Sequence, residues 1–497
     1  MAALGQAWLA DHFKILSPQL HKRFEVGSRP GTRVESGLPI EILSGNAARP
    51  DDPFSHLEFA MRYEVLSLSL LSGVFNRIEH ESPGHLARSI AARPSGIFAR
   101  RCGLLFELLG SRTLDVQASG PYADVLDSKI HIVDTGPRRR SAKWRLNDNL
   151  PGSARFCPVI ARTPAIDAAL RRDWPSDIRA IADRFSPSLF ARAAQFLYLK
   201  ETRSSFEIES ESSDNSRGER FLASLKEVGR EDINFALAER RLVDVQRGIV
   251  DPRFAATGFR TIQNYVGEAV RPGLERVHYV CPPPEIVYSL MSGLQDSYVR
   301  LSGLPPIMAA AAISFGFVFV HPFEDGNGRI HRFLIHDILA RGGWSPPGII
   351  VPVSARMLAD PRAYDSALEH FSKTVSTSAR YRLDGDSRLT LLNPEEIEPL
   401  YRYPSLSAHA EYLADVLDKS IREDLQQELL FLAAYDSAKP AIQDIVDLPP
   451  RQMDLLIRLI RQNGGTLSKN KRDIFASLTN SEIAEIEGVV RGAFAAH

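Results

Sequence analysis

Twelve consecutive residues, His321-Pro322-Phe323-Glu324-Asp325-Gly326-Asn327-Gly328-Arg329-Ile330-His331-Arg332, carry the side chains that phosphate chemistry needs. A histidine titrates near neutral pH, so His321 suits general-base removal of a proton from an attacking hydroxyl. Glycines on both sides of an asparagine at a helix start let the backbone turn tightly and expose its N–H groups. With the positive end of the helix, such groups bind phosphate oxygens, and Gly326, Asn327 and Gly328 are read as that anion cradle. Arg329 and Arg332 lie three apart on neighbouring parts of one helix face and can meet the outer phosphates of a polyphosphate. Asp325, just before the cradle, can hold a Mg²⁺ shared with phosphate oxygens, because Mg²⁺ commonly uses one or two protein carboxylates and keeps waters.

These residues need two elements to position them. Pro306 to Val320 is a nearly unbroken apolar run, shorter than the roughly 20 residues a membrane span requires, and reads as a buried central helix. Phe333-Leu334-Ile335-His336-Asp337-Ile338-Leu339 repeats apolar residues at helical spacing, so the motif lies in a helix-loop-helix. The chain has 497 residues, 44% of them apolar, enough for two or three packed cores. Lys plus Arg number 60 against 61 Asp plus Glu, and the net charge of −1 gives no general pull toward nucleic acid. Arg138-Arg139-Arg140, with Lys143 and Arg145, reads as a solvated basic patch. Cys102, Cys157 and Cys281 lack metal-ligand spacing and cannot all pair internally, which favours a reducing compartment. Met1 to Leu16 shows no basic-then-apolar order of a signal peptide, and the expected location is cytoplasmic.

The signature His-Pro-Phe-x-Asp-Gly-Asn-Gly-Arg-x-x-Arg resembles that of Fic-domain proteins at every defining position. The resemblance implies an all-α core that transfers AMP from ATP to a protein hydroxyl and releases pyrophosphate. By position it makes His321 the base, Asp325 the Mg²⁺ ligand, Gly326 to Gly328 the anion hole, and Arg329 and Arg332 the phosphate clamps. Phe323 becomes a core anchor, Glu324 a solvated side chain, and His331 stands where many relatives carry Gly.

Upstream, Thr202-Arg203-Ser204-Ser205-Phe206-Glu207-Ile208-Glu209-Ser210-Glu211 resembles the family's inhibitory motif, with Ser205 and Glu209 four apart on one helix face and Ser210 in place of the usual Gly or Asn. The resemblance implies a self-inhibited protein in which Glu209 pairs with Arg332 and denies it to the γ-phosphate. The alternative is a plain solvated acidic stretch of Glu207, Glu209 and Glu211. Asp214-Asn215-Ser216 is expected to form a loop.

Gly258 to Gly267 resembles the segment that opens the Fic core. Leu274 to Cys281 resembles the flap, a hairpin that aligns a target segment by strand addition, with Tyr279 and Val280 as flap residues; an ordinary surface hairpin is the alternative. Pro282 to Pro284 would stop its strand. Tyr364 resembles a tyrosine near the adenine pocket, or packs in the core.

The expected fold is mostly α: a Fic-type helical core with a small hairpin flap, between a mixed, mainly helical N-terminal region and a helical C-terminal region. Residues 1–200 read as helices around Glu58 to Phe75 and Ile97 to Leu109, β-prone pieces such as Ile130-His131-Ile132-Val133, then helices to Leu199. Residues 201–380 hold the inhibitory segment and catalytic core, and residues 381–497 are helical, with Leu413, Leu417, Ile421, Leu425 and Leu429 spaced by four. Asn463-Gly464-Gly465 breaks the last helices apart, and Gln443 to Phe494 forms either a small bundle or a DNA-binding helix-turn-helix. Expected partners are ATP and a protein modified on Ser, Thr or Tyr. Two rival functions stay open: removal of AMP or transfer of another phosphate-linked group by the same site, and a nucleotide-gated regulatory or DNA-binding module.

Overall fold

The computed structural model describes residues 2–16, 20–44, 52–110, 112–211, 215–271, 274–344 and 349–495. The chain opens with β1 (Ala2–Leu4), α1 (Gly5–Phe13), β2 (Arg23–Gly27), β3 (Gly31–Glu35) and β4 (Leu38–Ser44). These strands form a sheet of order β1-β2-β4-β3, in which only the β2–β4 pair is parallel. No sheet before residue 50 is expected from the sequence. Next come α2 (Pro53–Tyr63), α3 (Leu68–Glu81), α4 (His85–Ala91) and α5 (Ile97–Gly110). Asp52 caps α2 at the Phe54 and Ser55 amides and Ser67 caps α3 at the Leu70 amide, which breaks the expected Glu58–Phe75 helix in two. Their apolar faces bury Leu57, Leu71, Phe75, Leu105 and Trp144 in one core.

A three-stranded sheet of β5 (Ala123–Asp124), β6 (Arg139–Ser141) and β7 (Leu146–Asp148) follows, ordered β5-β7-β6. The β-prone Ile130–Val133 piece is not a strand. It makes one isolated bridge, His131 to Ala161, and the His131 ring is drawn inward to accept the Leu66 amide. Side-chain bonding there displaces the ladder that β propensity alone favours.

The chain continues through α6 (Pro164–Arg171), α7 (Trp174–Ala182), α8 (Pro187–Ile208), α9 (Asn215–Lys226) and α10 (Glu239–Ile249). Asn215 and Ser216 therefore open a helix where a loop was expected, while Asp214 lies outside the described residues. A hairpin of β8 (Tyr265–Arg271) and β9 (Leu274–Val280) leads to α11 (Pro284–Leu301), α12 (Pro306–Val320) and α13 (Asn327–Arg341). In α12 all residues but Pro306 and Val318 are buried, as a helix apolar on every side requires. Then follow α14 (Val353–Ala359), α15 (Pro361–Ser378), a second hairpin of β10 (Tyr381–Leu383) and β11 (Leu389–Leu391), α16 (Pro394–Arg402), α17 (Ser407–Lys419), α18 (Gln426–Ile445), α19 (Pro450–Gln462) and α20 (Asn480–Ala495). A π-helical stretch, Ser420–Leu425, joins α17 to α18 within the stripe of Leu413, Leu417, Ile421, Leu425 and Leu429.

Two compact units are built from discontinuous segments: Met1–Arg172, Thr202–Trp344 and Met357–Asp415 in one, Asp173–Glu201, Ser345–Arg356 and Val416–His497 in the other. Punctuation in sequence divides the chain into three consecutive stretches at 200 and 380, and cannot register segments that return. The first unit carries the signature. The second has its own core, with Ile442, Met453, Leu456, Ile460, Phe475 and Ile486, so the C-terminal helices pack as a bundle. Within it the Glu201 carboxylate accepts the Ser354 amide, and Arg356 pairs with Asp424. No helix among the described residues is long and apolar enough to cross a membrane.

One buried acid sets a pH dependence of this fold. Leu4, the residue preceding α1, offers no side-chain cap, and the Gln6 amide instead donates to the Glu64 carboxylate at 2.9 Å. Burial pushes the Glu64 pKa up from its ordinary value to about 7, against the opposing hydrogen bonds from Gln6. A raised folded-state pKa means that the native state holds an extra proton between the unfolded value and about 7. Stability from this group is therefore lost as pH rises through that window, by roughly 3 kcal/mol at most. Denaturant titrations at about pH 5 and about pH 8 should show a larger loss for wild type than for Glu64→Gln; equal losses would remove Glu64 as the source.

Candidate active site

The site is built where α12 ends and α13 begins. His321 caps α12 in the left-handed region, φ 51° and ψ 57°, with its amide donating to Phe317 O. A left-handed residue reverses the chain in one step, and it costs a non-glycine residue about 1 kcal/mol or more. The loop that follows is closed by Asn327, whose Oδ1 accepts the Phe323 amide at 3.0 Å and whose Nδ2 donates to Phe323 O at 2.8 Å. Phe323 is fully buried, and Glu324 is exposed. Gly326 turns the backbone at φ 90° so that α13 starts with its first amides pointing out of the loop. The Asn327 side chain is thus a brace, and the anion cradle is left to backbone amides and Gly328.

Both signature arginines are buried, Arg329 at 1% and Arg332 at 0% exposure. Each has a carboxylate partner from the end of α8. Arg332 donates to Glu209 at 2.8 Å, to Ser205 Oγ at 2.9 Å and to Ser205 O at 2.6 Å. Arg329 donates to Glu211 at 3.0 Å and to Asp325 at 3.1 Å, and lies over the Phe206 ring. Burial alone would raise the Glu209 pKa, but the charge and hydrogen bond of Arg332, helped by Arg329 and His321, hold it below its ordinary value. A third of the Glu209 side chain, 34%, still faces open space, so solvent screens the pair on that side.

Glu209 is the first residue past α8, and Ser210 beyond it takes the left-handed conformation at φ 57°. Glycine or asparagine accepts that conformation more readily, which gives the departure at Ser210 a physical meaning. The Glu209 carboxylate lies over Gly328 so closely that a Cβ there would stand 2.2 Å from its oxygen. The space over Gly328 is filled by a side chain of the same protein.

His321, Gly328 and Glu209 line one cavity of about 650 Å³, with Tyr279, Val318, Phe319, Met357, Leu358, Tyr364 and Leu368 among its other walls. That size suits a nucleotide-sized ligand. Burial and the nearby Arg260 charge push the His321 pKa down to about 4, against smaller opposing effects of Val318 O, Glu209 and Asp325. The imidazole is neutral at physiological pH. Its Nδ1 lies 3.2 Å from Val318 O, an orientation that leaves Nε2 as the nitrogen able to accept a proton. Asp325 is 54% exposed and lies next to the cradle. No group of three or more His, Cys, Asp or Glu suited to a metal occurs among the described residues. Arg329 and the Gly326 amide both meet Asp325 Oδ1, and the other carboxylate oxygen would suit a Mg²⁺ that takes its remaining ligands from phosphate and water.

The remaining sequence expectations divide. Tyr364 is buried and also lines the cavity, so both of its readings meet in one residue. His331 is fully buried between Phe315 and Tyr364 and is not among the residues lining the cavity. Tyr279 and Val280 lie at the buried root of the hairpin: Tyr279 donates to Phe319 O and Val280 O accepts from Tyr401. The hairpin residues open to solvent beside the cavity are Val266 and His278. Two residues had no assigned part. Glu211 was legible only by counting, since two arginines call for two carboxylates. Arg260 joins the signature to the hairpin, and a lone arginine in a loop carries no spacing signal.

A helical domain with a phosphate-type loop between two helices and a hairpin beside it is the class defined by these features. Residues 236–339 match the Fic/DOC family. It is 32% identical over 172 residues to the Caenorhabditis elegans protein adenylyltransferase fic-1, covering 30% of this chain and 31% of that protein. It is 36% identical over 111 residues to the Drosophila willistoni protein adenylyltransferase Fic, covering 22% and 20%. The chain thus spans under a third of the length of these curated relatives. A solved Fic family protein from Desulfovibrio desulfuricans G20 aligns at 18% identity and a TM-score of 0.36, covering 67% of this chain and 86% of that one.

The brace at Asn327 yields a direct test. Asn327→Ala leaves the Phe323 amide without its partner, and its carbonyl with only the long Asn264 contact at 3.5 Å, in a buried loop where an unsatisfied group costs about 1–3 kcal/mol. Chemical denaturation should show a loss of at least about 2 kcal/mol, and a loss below about 0.5 kcal/mol would mean that water replaces the side chain.

Proposed function

We propose that this protein transfers AMP from ATP to a serine, threonine or tyrosine hydroxyl of a protein, possessing in Glu209 its own inhibitor. The observation that carries this reading is the single cavity onto which His321, the Gly328 cradle and Glu209 all open. The protein adenylyltransferase names of the relatives support the choice of AMP over other phosphate-linked groups.

In this reading the target hydroxyl oxygen attacks the α-phosphorus while His321 Nε2 accepts its proton. The bond from the α-phosphorus to the bridging oxygen breaks, and pyrophosphate departs with the electron pair. Amides at the start of α13 bind the phosphate oxygens, and Arg329 and Arg332 hold the outer phosphates once they are free. Mg²⁺, held by Asp325, supplies neutralisation of phosphate charge when bound. Tyr364 closes the nucleoside end of the cavity. The hairpin presents the target, with Val266 and His278 at its open side and Tyr279 and Val280 anchoring its root. With Glu209 and Glu211 on the two arginines, ATP cannot place its outer phosphates, and transfer is restrained.

Two measurements test the reading. His321→Ala should bind ATP within a few-fold of wild type and lose transfer, because the imidazole moves a proton and holds no phosphate. Persistence of transfer near the wild-type rate would remove His321 from the mechanism. Glu209→Gly should raise incorporation of AMP into protein about ten-fold or more, since a charge-assisted hydrogen bond is worth about 1.5–3 kcal/mol and 1.4 kcal/mol is tenfold. Glu207→Gly adds the same flexibility but leaves the arginine pair intact, and equal activity of the two variants would defeat the inhibitory assignment.

A further inference from the structure

Arg260 is 4% exposed, and its hydrogen-bond partners are all main-chain carbonyls. Nε donates to His321 O at 2.7 Å, Nη1 to Ile262 O at 2.9 Å, and Nη2 to Pro282 O at 2.7 Å and Val320 O at 3.4 Å. Its own amide donates to Pro322 O at 2.8 Å. A buried guanidinium without a hydrogen-bonded carboxylate is costly, and a structural filler of that volume could be apolar. Apart from Ile262 O in its own segment, the carbonyls it gathers come from two places that have to act together. Val320, His321 and Pro322 form the turn that carries the imidazole, and Pro282 lies at the foot of the hairpin, two residues past β9.

Neighbouring contacts extend the same strap. Gln263 donates to Cys281 O at 2.7 Å, and Asn264 O accepts the Cys281 amide at 3.1 Å. The Asn264 side chain lies at 3.5 Å from Phe323 O and 3.4 Å from Glu324 O. Residues 260–264 therefore tie the hairpin foot to the signature loop, with Arg260 as the one charged fork among them. Its planar donors fit several carbonyls at once, which an ammonium cannot do from one position.

We propose that Arg260 is a positioning residue for the transfer step, fixing the left-handed turn of His321 and the distance between the imidazole and the hydroxyl that the hairpin presents. The inference rests on the transferase reading above. Arg260 touches neither nucleotide cradle nor reacting atoms, so it acts through the His321 main chain. Its positive charge also helps to keep the imidazole neutral. A shift of about 1 Å between reacting groups costs about 100-fold in rate while leaving ATP binding untouched.

The test uses the full chain carrying Glu209→Gly, and compares it with the same chain carrying Arg260→Met or Arg260→Lys. Measured quantities are kcat for AMP transfer, ATP affinity by calorimetry, and Tm. Arg260→Met should lower kcat about 100-fold with ATP affinity within about three-fold of the parent. Arg260→Lys, which keeps the charge and loses the fork, should fall between, about ten-fold below the parent. If Arg260→Met does not fold, the Arg260→Lys result decides by the same criterion. A kcat within about three-fold of the parent in the folded variants, or an ATP affinity that falls in step with kcat, overturns the inference. If the Glu209→Gly parent itself transfers nothing to protein, the transferase reading is what fails, and Arg260 loses its assigned task with it.

Discussion

Two guanidiniums buried at the start of one helix govern this structure. Arg329 and Arg332 are almost entirely removed from water, at the helix end that already carries positive partial charge. A buried cation without an anion costs several kcal/mol, so this place in the fold requires negative charge at all times. In the structure Glu209 provides it to Arg332, and Glu211 and Asp325 together provide it to Arg329. A polyphosphate offers the same charge in the same place. On the proposed reading, restraint by Glu209 and binding of a polyphosphate would be two solutions to one electrostatic demand, and neither would leave the site without an anion.

The demand explains why the end of α8 folds as it does. Ser205 stays helical and gives both its hydroxyl and its carbonyl to Arg332, so the helix docks by its last turn. Phe206 lies under Arg329 and packs edge-on against Phe221 of α9, which gives the docked turn an apolar footing. Arg217 of α9 shares the Glu211 carboxylate. The segment is held by charge at its tip and by aromatic packing behind it.

Much of the site was legible because its residues are contiguous. His321 to Arg332 sit in one loop and one helical turn, where spacing alone fixes which groups meet. Pro306 to Val320 announced a buried helix for a similar reason, since nothing polar interrupts it. Ser205 and Glu209 were readable from a spacing of four, although Glu209 lies just beyond the helix and meets Arg332 from a turn. Long-range partners were not readable. Arg260 reaches its carbonyls across 22 and 61 residues of chain, and main-chain acceptors have no residue type to betray them. The N-terminal sheet was missed because its strands are short and mostly half-buried, with little alternation to see. Ile130–Val133 misled in the opposite direction, since its β-branched residues are used in an irregular stretch pinned by His131.

Gly328 has a consequence for how this protein can change over generations. The space left by its missing side chain is the space the Glu209 carboxylate fills, with 2.2 Å between that oxygen and where a Cβ would stand. The same gap faces the cavity in which a phosphate would lie. Any larger residue would exclude both occupants together, so selection for weaker or stronger restraint finds no purchase at this position. Heritable tuning is left to the other side of the contact, residues 205–211, where Ser210 already holds a conformation that glycine or asparagine would hold at lower cost. A change there has still to leave an anion beside Arg332, so the room for variation lies in the backbone turn at Ser210 more than in the carboxylate itself.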